Sequence, residues 1–244
     1  MIRYGFIVLF GWLLAAPCFA ANQVAVVKSD GAVELGTPGL AAGKGGGTVQ
    51  TVSTGANGKA VVRVGNSYLV LGNNSKVEIG FAGKVAGFFK HVGGMVYYAF
   101  ESVRGREAGP EVQTRLATIG IRGTRFLVVD EDDQSGIGMR KGVVSVTSQG
   151  EDFEVHRKAE QEDFESFKRQ GTDAVEKEKS AFRTYQENTQ KEFVEYKRQL
   201  SLGAGNMLSF SGNRVDEQAL GGKTQQQMEN LEDYGNDWVS QVHD

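Results

Sequence analysis

Metal or nucleophile chemistry in this chain would have to be built on three histidines, His91, His156 and His243, and one cysteine, Cys18. No second His or Cys stands near any of them at the spacing a zinc site needs, so no metal site is expected. The acidic run Asp130, Asp132 and Asp133 invites calcium. An EF-hand loop starting at Asp130 needs Gly at its sixth position and Glu at its twelfth, where Ser135 and Lys141 stand. The run therefore reads as a solvated hairpin turn. Paired carboxylates are plentiful between residues 151 and 200, but on what reads as a wet polar stretch, where neither of a pair acquires the burial that acid–base catalysis needs. With no G-x-S-x-G, H-E-x-x-H or phosphate loop, the expectation is a protein that is not an enzyme, with no catalytic residue and no cofactor.

Two other groups can recognise without reacting. Arg115, Arg122 and Arg125 can together hold an anion or a carboxylate, because a guanidinium fork matches such groups bidentately. The structural alternative is favoured: Arg122 reaches back to an acidic residue, Gly120 and Gly123 permit a bend, and Thr124 bonds to the backbone. Phe88, Phe89, Tyr97, Tyr98 and Phe100 lie among Lys84, Lys90, His91, Arg104 and Arg106, superficially a base-stacking platform. The surrounding charge is not basic enough for that, and Met95–Phe100 is β-forming throughout, so these aromatics fill a core or cover a sheet face. Tyr97, Tyr98 and Arg115 stand as the candidate ligand surface.

Behind these residues the chain falls into five stretches. Met1–Ala20 has Arg3, an apolar run from Phe6 to Ala16, and a small-residue site before Ala21: a signal peptide, too short to match the ~20 residues of a spanning helix. An exported, periplasmic protein follows, with membrane contact only during export. Cleavage removes the single cysteine and Arg3, leaving 26 basic against 30 acidic residues and excluding disulfides and thiolate sites. That balance argues against a nucleic-acid partner.

Residues 21–150 read as a β domain. Short apolar or alternating runs (Val24–Val27, Val49–Val52, Ala60–Val64, Tyr68–Leu71, Val77–Ile79) are separated by glycine turns such as Ser29-Asp30-Gly31 and Gly72-Asn73-Asn74-Ser75. The head of its last meander is Gly120-Ile121-Arg122-Gly123-Thr124-Arg125-Phe126, then Val128-Val129, an acidic turn, and Gly142-Val143-Val144-Ser145-Val146. This order resembles the FecR-type periplasmic domain, whose hallmark is V/I-R-G-T-x-F, a strand, a turn and a G-x-V-x-V strand. The resemblance implies short strands stacked in a roll or solenoid-like sheet, and marks Gly120, Arg122, Gly123, Thr124 and Phe126 as part of the fold. FecR-type regulators also carry a cytoplasmic segment that binds a sigma factor and a membrane span. Here the export signal takes that place, so sigma-factor regulation is not carried over.

From residue 151 to 200 glycine nearly vanishes, and Glu, Lys, Arg and Gln dominate. Phe153, Phe164 and Val175 are eleven apart, Phe182 follows by seven and Phe193 by eleven, and Tyr185 and Tyr196 are eleven apart. Eleven residues return to nearly one side of a helix, so a long charged helical arm with one apolar stripe is expected. Gly171, followed by Thr172-Asp173, marks a break between two helices; a continuous one would reach ~75 Å at 1.5 Å per residue. A solvated helix or a charged linker is the alternative. The stripe cannot make its own core and needs the β body, another copy or a partner. Residues 201–223 read as a flexible linker and 224–244 as a short helix with Trp238 as an anchor.

The functional expectation is a sensing or protein-interaction module of the cell envelope, with an envelope protein or a second copy meeting the arm. The alternative is an envelope scaffold or a glycan- or peptidoglycan-binding module.

Overall fold

The computed structural model describes residues 24–36, 39–40, 48–82, 85–101, 109–157 and 193–242. Period-two alternation puts successive side chains on opposite faces, and the described strands use it to make two layers. Sheet A runs, in spatial order, β1 (Val24–Asp30), β5 (Lys59–Val64), β6 (Ser67–Leu71), β8 (Val85–Ala99), β11 (Arg125–Glu131), β12 (Gln134–Lys141), β17 (Asn206–Ser211), β18 (Arg214–Ala219), β14 (Phe153–Arg157) and β15 (Phe193–Lys197). Sheet B begins with β2 (Val33–Leu35) and β3 (Gly39–Leu40), both on β4 (Thr48–Thr54). It continues through β7 (Lys76–Ala82), the first half of β8, β9 (Glu111–Gln113), β10 (Ala117–Gly120), β13 (Val143–Ser148) and β16 (Gln199–Gly203).

Strand β8 belongs to both sheets. It pairs with β7 up to Gly93 and with β11 from Gly94 onward. The Ser29-Asp30-Gly31 turn is a crossing from one layer to the other: β1 lies on β5 in sheet A, and β2, which follows the turn, lies on β4 in sheet B. Asp132-Asp133 does close a hairpin, between β11 and β12.

The core between the layers takes Val62, Leu69, Val96, Tyr98 and Phe126 from sheet A and Val52, Ile79, Phe89, Ile119 and Val146 from sheet B. Rings tie it together, with Tyr98 stacked on Phe126 at 5.2 Å and Phe89 edge-on to Phe100 at 5.0 Å. A second cluster lies outside sheet A. Helix α1 (Gly222–Val239) lays Met228, Leu231 and Val239 on Val61, Val70, Tyr97, Leu127 and Val129. Burying each such side chain contributes about 1.5–3 kcal/mol. Gly235 sits where a Cβ would come within 2.6 Å of Val70, which lets the helix settle close to the sheet.

Two expectations are corrected. Residues 153–157, 193–197 and 199–203 are strands, so the helical arm does not run from 151 to 200. Phe153-Glu154-Val155-His156 alternates with period two, and its pairings with β15 and β18 lie far along the chain, where local helix propensity cannot compete with them. Of the stripe, Phe164, Val175, Phe182 and Tyr185 lie outside the described residues. The linker at 201–223 is instead most of β16, then β17, β18 and the start of α1, with Gly212-Asn213 closing the β17–β18 hairpin. The C-terminal helix is present and begins at Gly222. The expected leader, 1–20, lies outside the described residues. No helix of the described residues is long and apolar enough to cross a membrane.

Candidate functional site

The G-I-R-G-T-R-F segment is a crossing between layers. β10 ends at Gly120 in sheet B, residues 121–124 turn the corner, and β11 starts at Arg125 in sheet A. Ile121 and Phe126 point into the core on either side of it. Gly123 has φ +72°, a left-handed conformation that glycine adopts without strain. Gly142, the crossing from β12 to β13, nests against it: a Cβ there would lie 2.7 Å from Thr124 Cγ2 and 2.8 Å from the Gly123 oxygen. Two details differ from the sequence reading. Arg122 is exposed and has no acidic partner among the described residues, and the buried Thr124 hydroxyl has no hydrogen-bond partner. The residues work by shape: the corner needs a left-handed backbone, a close backbone approach and two apolar plugs.

The three arginines do not converge. Arg115 pairs with Asp130 at 3.0 Å, at the far end of β11 from the motif, roughly 16 Å along the strand at ~3.3 Å per residue. Arg125 Nη2 donates to the Val242 oxygen at 3.1 Å, tying the motif to the end of the C-terminal helical segment. The anion site, the less favoured of the two readings, is not assembled.

Tyr97 and Tyr98 are both buried and form no ligand surface. Their strand is covered on both sides, by sheet B and by α1, which is why its apolar run is nearly unbroken. Tyr97 Oη donates to Glu232 Oε1 at 3.1 Å, and Arg140 Nε meets the other oxygen of Glu232 at 3.0 Å. Burial, then the neighbouring Glu232 carboxylate, pushes the Tyr97 phenol well above its ordinary range. On the inner side, His91 Nε2 donates to the Gly94 oxygen at 3.2 Å, leaving Nδ1 to accept from Tyr98 Oη at 3.1 Å. Burial lowers the His91 pKa from 6.5 to about 4, opposed in part by the Gly94 carbonyl and Asp130.

Phe153 is buried beside Phe210, Tyr196 is 69% exposed on edge strand β15, and Trp238 packs back on its own chain with Lys28 Nζ 5.7 Å from its ring. Lys28 sits closer over the Tyr234 ring, at 4.1 Å, and donates to the Tyr234 backbone carbonyl oxygen at 3.0 Å. Phe193 lies at the β14–β15 pairing, opposite Arg157.

The feature sequence reasoning missed is the outer face of sheet B. With Ile79, Phe89, Val112, Ile119, Val146 and Leu200 turned inward, the alternate residues face out in two rows that run in register across seven strands. One row is Val49, Gly80, Phe88, Glu111, Gly120, Ser145, Ser201. Its neighbour is Thr51, Glu78, Lys90, Gln113, Thr118, Thr147, Gln199. All but Gly80 are half-buried or exposed. Six steps of ~4.8 Å make each row about 29 Å long. Only the pairing order reveals this face, because its members are scattered from residue 49 to residue 201. Among the described residues, no group of three or more His, Cys, Asp or Glu side chains is placed to hold a metal ion.

Residues 50–145 match the family model described as FecR protein, which is consistent with a FecR-type domain there. That stretch runs from within β4 to within β13 and ends ahead of β14–β18 and α1. Two solved structures from Parabacteroides distasonis ATCC 8503, each described as a candidate anti-sigma factor, resemble the chain. One has TM-score 0.45 and 11% identity over 70% of this chain and 60% of that one; the other has TM-score 0.34 and 11% identity over 79% and 60%. The chain thus spans 60% of the length of each. No curated protein matches it.

Proposed function

We propose that this protein is a non-enzymatic recognition module of the cell envelope, exported to the periplasm, which senses or docks a partner by surface contact. The observation that carries the reading is the unequal treatment of the two sheets. The FecR-type domain is built into a larger β body whose own C-terminal helix covers the outer side of β5, β6, β8, β11 and β12 in sheet A, while none of the described elements lies over the mostly polar outer side of sheet B. The buried tyrosines and histidine serve packing and hydrogen bonding, and the arginines hold Asp130 and the Val242 oxygen. No constellation of nucleophile, base and oxyanion donor is assembled among the described residues.

Fractionation of cells expressing the full chain, combined with affinity capture from envelope extract, tests this reading. The expected result is a protein shortened by its leader, recovered from the periplasmic fraction with a captured envelope component. Recovery from the cytosol with the leader intact, or turnover of a substrate, contradicts it.

A further inference from the structure

We infer that the open face of sheet B binds a neutral polysaccharide strand laid across the β-strands, with Phe88 as the stacking platform. The inference rests on the recognition-module reading and names what that module's open face holds. A pyranose ring has an apolar C–H side and a rim of hydroxyls, so it fits a flat aromatic ring surrounded by small hydroxyl and amide groups.

Phe88 is such a ring. A Cβ built on Gly80, directly opposite it on β7, would lie 2.1 Å from Cε1, 2.3 Å from Cζ and 2.6 Å from Cδ1. The ring therefore rests on bare backbone, flat against the sheet, and its side chain is only half-buried. On the adjoining strand Glu111 stands exposed as an acceptor of sugar hydroxyls. Gly120 keeps the next position level, since a Cβ there would come within 2.6 Å of Ser145 Oγ. Along the neighbouring row, Gln113, Thr118, Thr147 and Gln199 add a line of amides and hydroxyls in register.

Charge and composition select the occupant. Lys90 and Glu78 neutralise each other at 3.2 Å, so Glu111 is the one charge in these rows without an ion-pair partner among the described residues. A lone carboxylate in mid-track disfavours phosphate-bearing or acidic polymers. From Phe88 to Ser201 neither row carries an aliphatic side chain, whereas protein interfaces centre on buried apolar anchors and are depleted in Ser. Polyol chemistry fits what is there.

The probes are soluble hexasaccharides of N-acetylglucosamine and of glucose, titrated into the full chain by calorimetry, with thermal melts of every variant. At least one hexasaccharide is expected to bind. Phe88→Ala is expected to weaken it tenfold or more, Thr147→Lys to abolish it by standing in the row, and Tyr196→Ala to leave it unchanged. Thr147→Lys carries the test should Phe88→Ala lower the melting temperature. The inference is overturned when neither hexasaccharide binds, or when Thr147→Lys binds as the parent does. Capture of an envelope protein that Thr147→Lys abolishes, with both sugars inert, overturns the glycan and keeps the module. A chain that captures nothing and binds neither sugar overturns both.

Discussion

The outer faces of sheets A and B are built from the same kind of alternating strand and meet opposite fates. On sheet A the outward residues are Val61, Val70, Tyr97, Leu127 and Val129, and a helix lies over them. On sheet B most are polar, among them Thr51, Gln113, Thr118, Thr147 and Gln199, with Val49, Phe88 and Val143 between them, and water can solvate them. A sheet that is apolar on both sides must be covered or it aggregates; a sheet polar on one side is stable uncovered and remains free to bind. On the proposed reading the covered face serves stability and the open face recognition, and substitutions should sort accordingly.

Removing the cover has the largest expected effect. A chain ending at Ala219 loses α1, and we expect it to aggregate or to melt without a cooperative transition, as light scattering and calorimetry would report. The milder Leu231→Ala should cost about 2–5 kcal/mol in urea denaturation.

Next is the layer between the faces. Folded His91, with a pKa of about 4 against 6.5 when unfolded, resists a proton that the unfolded chain accepts. Its contribution is fully present above pH 6.5 and is lost as pH falls toward about 4. The loss is on the order of 3 kcal/mol across that window. Urea midpoints at pH 7.5 and 4.5 should differ by more in the parent than in His91→Gln. Equal differences would assign the acid sensitivity elsewhere.

How much of this was legible in the sequence follows from which interactions are local. The alternation from Val24 to Ser148 and the G-I-R-G-T-R-F bend depend on neighbours a few residues apart, and both are where the pattern puts them. Tyr97 and Tyr98 show the limit: an unbroken apolar run is the mark of a strand buried on both sides, but α1, which does the burying, comes more than a hundred residues later. The helical reading around Phe153 fails for a related reason. Glu- and Lys-rich composition outweighed a five-residue alternation whose partners are β15 and the parallel strand β18. Gln199-Leu200-Ser201-Leu202 carried the same signal and was hidden by the glycines that follow. The rows on sheet B exist only once the register is known.

Smaller effects refine the contrast. Tyr97→Phe removes the phenol that donates to Glu232, leaving that carboxylate to Arg140, and should cost about 1–2 kcal/mol by denaturation. Thr147→Ala on the open face should move stability by no more than about 0.5 kcal/mol while weakening ligand binding. A large stability loss there would mean the open face is part of a packed interface within the chain.

Hydroxyl-radical footprinting of the full chain, read at single residues, tests the division of the two faces most directly. The account predicts that Phe88 is oxidised, that Tyr97 and Tyr98 are protected, and that Phe88 becomes protected when the bound hexasaccharide is added. Oxidation of Tyr97 together with a silent Phe88 would mean that α1 leaves its face while sheet B is the covered one, and would contradict it.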